Sequence, residues 1–183
     1  MMVLLFLTTT GVFAQSKKIY ENFPEKFDTE ETKDKYATAL VELKSGTWKL
    51  NGVTLVSKTG ARAITEDGTK GAQFNKENAK PLYLQMMFDV PDGVSKVTVK
   101  HASYGNDPAC KWTLEYSIDS GKTWQEAGKE ITSFSKSQRT ATFDKLNIQG
   151  PVRFRVIKFG LGGKDDPSIA NGRLLIDDFT IYR

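Results

Sequence analysis

The sequence predicts an all-β protein, an antiparallel two-sheet β-sandwich. Three observations carry this: period-two alternation of apolar and polar residues, turn chemistry between the alternating runs, and only one short stretch that reads as helical. Leu82, Leu84, Met86 and Phe88 alternate with Tyr83, Gln85, Met87 and Asp89. Val97, Val99 and His101 alternate with Lys96, Thr98 and Lys100, and Trp112, Leu114, Tyr116 and Ile118 with Lys111, Thr113, Glu115 and Ser117. Val152, Phe154 and Val156 alternate with Arg153, Arg155 and Ile157, and Leu175, Phe179 and Ile181 close the chain. Successive side chains on a strand point to opposite faces, so each run has one face for a core and one for solvent. Thr47–Leu50 and Val53–Ser57 add early strands. Pro91-Asp92-Gly93, Asp119-Ser120-Gly121, Gln149-Gly150-Pro151 and Gly160–Gly163 supply the turns, with Pro pre-setting φ and Gly allowing it to be positive. The single helical candidate is Thr29–Thr38.

A chain of 183 residues is large enough for one substantial core, and residues 17–183 read as a single sandwich domain. The net charge of +4 comes from 26 basic and 22 acidic residues without a block of one sign, which argues against nucleic acid as a partner. Met2–Ala14 is an uncharged apolar run ending at a small residue before polar Gln15-Ser16-Lys17-Lys18. Residues 1–15 therefore read as a signal peptide, the alternative being a buried first strand, although no basic residue precedes the run. The run is too short to cross a bilayer, which needs about 20 residues, and no other stretch qualifies. The expected location is secreted, periplasmic or extracellular.

Enzymatic chemistry has little to work with. Cys110 and His101 are the only residues of their kinds, so no Cys/His metal site can be assembled. Cys110 reads as a small buried hydrophobe, and His101, ending an alternating strand, as a partly buried strand residue rather than a base. Asp165-Asp166 and Asp177-Asp178 are the clustered acids read as candidates for a carboxylate-dependent hydrolase.

Two local motifs stand out. Ser117-Ile118-Asp119-Ser120-Gly121-Lys122-Thr123-Trp124 matches the Asp-box pattern S-x-D-x-G-x-T-W, in which the Asp accepts turn N–H groups and the Trp packs back under the turn. A single copy specifies a stabilised hairpin. In Leu174-Leu175-Ile176-Asp177-Asp178-Phe179-Thr180-Ile181, two carboxylates interrupt an apolar strand, so strict alternation would turn one of them toward the core. Such a carboxylate needs hydrogen-bond donors or a hard cation. For ligand contact, Tyr104, Asn106 and Asp107 in one loop, and Lys158, Phe159 and Lys164 in another, offer aromatic and planar polar groups, or else pack over the sandwich edge.

Glu21-Asn22-Phe23, the loop Gly68-Thr69-Lys70-Gly71-Ala72 and Ile176-Asp177-Asp178-Phe179 together resemble galactose-binding-like jelly rolls. Val97–Gly105, Trp112–Ser117 and Val152–Arg155 are similar to a set of secreted bacterial proteins in which such a domain stands alone or precedes a nuclease or other hydrolase. The resemblance implies a non-catalytic module for a glycan or other cell-surface ligand, with a structural adhesive spacer as the alternative. It also implies a structural calcium ion, with Glu21, Asp67 and Asp177 as its ligands.

Overall fold

The alternating runs become strands that pair only antiparallel. The structure is a computed structural model and describes residues 18–30, 33–57, 70–76, 80–134, 137–159 and 172–183. The strands are β1 (Ala39–Leu43), β2 (Gly46–Asn51), β3 (Val53–Ser57), β4 (Lys70–Phe74), β5 (Leu82–Met86) and β6 (Lys96–Ser103). They continue as β7 (Cys110–Ser117), β8 (Gln125–Glu126), β9 (Ile131–Ser133), β10 (Arg139–Phe143), β11 (Arg153–Phe159) and β12 (Leu174–Tyr182). One sheet runs β1-β2-β5-β11-β7-β8, with β9 also pairing β7; the other runs β10-β6-β12-β4-β3. No described residue is helical, so no helix here is long and apolar enough to cross a membrane.

The two sheets bury their apolar faces against each other. Trp48, Leu84, Leu114, Phe154 and Val156 from the larger sheet meet Phe74, Val97, Val99, Ile176, Phe179 and Ile181 from the smaller in one cluster. Trp48 is its hub, edge-on to Phe27, Phe88 and Phe179 at centroid distances of 6.0, 6.2 and 5.4 Å. Such pairs contribute about 0.5–1.5 kcal/mol each beyond their burial. The Trp48 indole N–H donates to Ser45 Oγ (2.9 Å), which donates to Glu25 Oε2 (2.7 Å). The backbone N–H groups of Ser45 and Phe27 complete the shell of the Glu25 carboxylate at 2.9 and 2.8 Å. A carboxylate buried to 1 % exposure is stable because donors replace its water.

Three expectations are corrected. The described part of Thr29–Thr38 is not helical. Instead, the carbonyls of Lys33 and Tyr36 accept from Leu55 and Gly52 N–H at 2.8 and 3.0 Å along the edge of β3. A polar segment this short has no stripe to bury, and the open strand edge offers its backbone better partners. Lys70, Gly71 and Ala72, read as loop, lie in β4. Neither Asp177 nor Asp178 points to the core, because a bulge between Asp177 and Thr180 absorbs the extra residue, with Asp178 at φ 42°. Ile176 and Phe179 both remain in the core. The signal-peptide reading, the Gly160–Gly163 turn, Asp67, Lys164 and Asp165-Asp166 lie outside the described residues.

Candidate functional site

The outer face of the larger sheet is built by the same alternation that builds the core. Lys49, Gln85, Arg155 and Glu115 stand in register across β2, β5, β11 and β7, each between inward-facing neighbours. Glu126 on β8 continues this row, and Asn51, Tyr83, Ile157 and Thr113 form the next one. At the end of β11, Phe159 shares this face with Lys111.

Arg155 is fixed from both sides. Its Nε and Nη2 donate to Glu115 Oε2 at 2.8 and 2.6 Å, and its guanidinium lies 4.2 Å from the Trp124 ring centroid. The neighbouring Arg153 Nε bonds Asp89 at 2.6 Å. The alternation of residues 152–157 puts Arg153 and Arg155 on one face, and the pairing of β11 with β7 sets Glu115 opposite Arg155.

Trp124 is delivered by the Asp-box hairpin. Asp119 accepts from the backbone N–H groups of Lys122 (3.0 Å) and Thr123 (2.9 Å) and from the Ser117 hydroxyl (2.6 Å). The Ser117 and Thr123 donors hold this exposed carboxyl well below the usual carboxylate range. Gly121 takes φ +88°, and Trp124 Nε1 donates to its carbonyl at 3.1 Å, as the motif requires. Lys49 Nζ lies 5.9 Å from the Tyr83 centroid. The face thus combines two aromatic rings with a guanidinium, a carboxylate, an amide and an ammonium.

The loop residues singled out from the sequence are dispersed. Tyr104 lies against the Ala102 and Leu175 cluster, outside the smaller sheet, and carries the Arg173 guanidinium 3.6 Å from its ring centroid. Asp107 is clamped by Arg173 Nε at 2.7 Å and Nη2 at 3.2 Å, with Lys76 Nζ at 3.1 Å. Partial burial opposes its charge, but the Arg173 and Lys76 donors more than offset that and hold it well below the usual range. Asn106 is exposed at the loop tip. Lys158 faces inward and is 1 % exposed, against its reading as a loop contact, and burial lowers its pKa to about 8. Tyr104 and Phe159 therefore do not share a surface.

Of the acids assigned to calcium, Glu21 and Asp177 are among the described residues. Glu21 is exposed, beside Tyr20, whose N–H bonds the Ile181 carbonyl. Asp177, 3 % exposed, has Asp178, Asp28 and Lys100 around it, and burial first, then the acids, raise its pKa to about 8 against the Asp178 N–H bond and Lys100. Among the described residues, no three His, Cys, Asp or Glu side chains gather as a metal site. Glu25, a buried carboxylate held by three donors, was missed. Its signal was the alternation Phe23, Glu25, Phe27, all three buried.

One pairing has the form of a nucleophile and base: Ser133 Oγ lies 2.7 Å from His101 Nδ1. Trp112 Nε1 donates to the same Oγ at 3.0 Å, so the serine bridges the two rings. Both residues are buried, and burial, then Arg139, lower the His101 pKa to about 4. This is a structural bond inside the core. Cys110 is fully buried and its thiol is pushed up to about 12, chiefly by burial.

The sequence matches no protein-family model and no curated protein. Solved structures with similar folds include a family 61 carbohydrate-binding module in complex with β-1,4-galactotriose, at 18% identity over 74% of this chain and 88% of that one, TM-score 0.54. Another is the CBM22-1 xylan-binding domain of Paenibacillus barcinonensis Xyn10C, at 11% identity over 93% and 97% of the two chains, TM-score 0.55. A third is the K2 cleaved adhesin domain of Lys-gingipain, at 14% identity over 91% and 97%, TM-score 0.56. This chain has the galactose-binding-like β-sandwich fold found in carbohydrate-binding modules.

Proposed function

We propose that this protein is a secreted, non-catalytic glycan-binding module whose ligand lies on the outer face of the larger sheet. The observation that carries the reading is the in-register row Lys49, Gln85, Arg155 and Glu115, with Trp124 stacked on Arg155 and Tyr83 beside it. Sugar rings present apolar C–H faces edged with hydroxyls. Aromatic rings meet the first, and fixed planar donors and acceptors meet the second. Glu115 holds Arg155 in place before any ligand arrives, which lowers the ordering cost of binding. The fold shared with a galactotriose-binding module and a xylan-binding domain supports the same reading.

The test is a glycan array followed by titration calorimetry on the best ligand, using the wild type, Trp124→Ala, Tyr83→Ala and Tyr104→Ala. The expected result is at least about a tenfold loss of affinity for the first two, on the order of the loss for an aromatic anchor, and little change for Tyr104→Ala. Affinity lost only in Tyr104→Ala would move the site to the loop end. No binding to any glycan would remove the reading and leave an adhesive spacer that docks to a partner protein.

A further inference from the structure

The final-strand acids already have a cation, and it belongs to the chain. The bulge in β12 sets Asp177 and Asp178 on the outer face of the smaller sheet, where Lys100 on β6 stands directly across from Asp177. Lys100 Nζ contacts Asp178 Oδ2 at 2.6 Å, and both side chains are largely withdrawn from water, at 25% and 17% exposure. The next acid, Asp28, accepts the backbone N–H of Lys70 at 2.9 Å, and the Lys70 ammonium bonds the Thr29 carbonyl. An ammonium group thus already sits on the acid next to Asp177, the final-strand residue to which the resemblance assigns calcium.

We propose that Lys100 is the resident counter-ion of Asp178 and excludes a divalent cation from the Asp177-Asp178 pair. Calcium requires six to eight oxygens at about 2.3–2.6 Å. An ion on Asp178 Oδ2 would compete with the ammonium for that oxygen and be repelled by it at close range. A lysine carried in the sequence makes the bulge independent of the calcium outside the cell.

Scanning calorimetry of the full chain in millimolar CaCl2 and in EGTA tests this, with the wild type and Lys100→Met. The wild type is expected to melt at the same temperature in both. Lys100→Met, which leaves the acids without a cation, is expected to melt at least about 4 °C lower in EGTA. It should recover part of the loss in CaCl2, because an ion that binds only the folded state stabilises it by mass action. Lys100→Gln, which keeps a donor without the charge, substitutes for a Met variant that is not recovered folded. A wild type that melts lower in EGTA would overturn the proposal, and so would a Lys100 variant indifferent to calcium.

Discussion

Lowering the pH should unfold this protein partly through one histidine. His101 projects from β6 into the space between the sheets, where it is 4 % exposed. Its ring stands edge-on to Trp112 at 5.3 Å, and Nδ1 is hydrogen-bonded to the Ser133 hydroxyl. Arg139 is its cross-strand partner on β10, so a charged imidazole would be desolvated beside a like charge. The folded-state pKa of about 4 lies below the ordinary 6.5, so between those values the unfolded chain holds more protons and stability falls with pH. At about 1.4 kcal/mol per pH unit, the loss between about pH 7 and pH 4 approaches 3 kcal/mol, with roughly 2 kcal/mol gone by pH 5. Urea unfolding followed by tryptophan fluorescence measures it, comparing the wild type with His101→Gln, whose amide can still hydrogen-bond Ser133. Other groups titrate in both proteins, so the difference between the two profiles isolates the histidine. Profiles that stay parallel from pH 7 to pH 4 would refute the argument.

Glu25→Ala removes the acceptor for two backbone N–H groups and the Ser45 hydroxyl; at about 1–3 kcal/mol for each buried donor left unpaired, urea unfolding should show a loss of about 3–5 kcal/mol. A loss below about 1 kcal/mol would mean that water reaches those groups. Gly93→Ala places a Cβ 2.4 Å from the Ile148 carbonyl oxygen at φ +79°, and thermal unfolding should register a cost of about 2 kcal/mol or more. Cys110 should resist an aromatic disulfide reagent at mildly alkaline pH while the protein is folded and react fully in guanidinium, since burial suppresses both access and the thiolate. Rapid reaction of the native protein would contradict its placement in the core.

The long strands were legible because each carries a full period-two pattern. β5, β6, β7, β11 and β12 all appear where Leu82–Phe88, Lys96–His101, Lys111–Ile118, Val152–Ile157 and the C-terminal run predict them. The Asp-box turn was legible too, since Ser117, Asp119, Gly121 and Trp124 interact within eight residues of chain. Short edge strands such as β8 and β9 were not, because two or three residues cannot display a period and their pairing to β7 supplies the order.

For the outer face, local sequence placed Arg153 and Arg155 on one side of a strand and Trp124 in a turn. Their meeting depends on β11 lying between β5 and β7, a long-range pairing that no window of sequence contains. The fate of Asp177 and Asp178 was likewise decided only in three dimensions. Alternation alone sends one of two adjacent residues inward. The hydrophobic demand of Ile176 and Phe179, one extra residue of bulge and an ammonium waiting on the neighbouring strand kept both acids out.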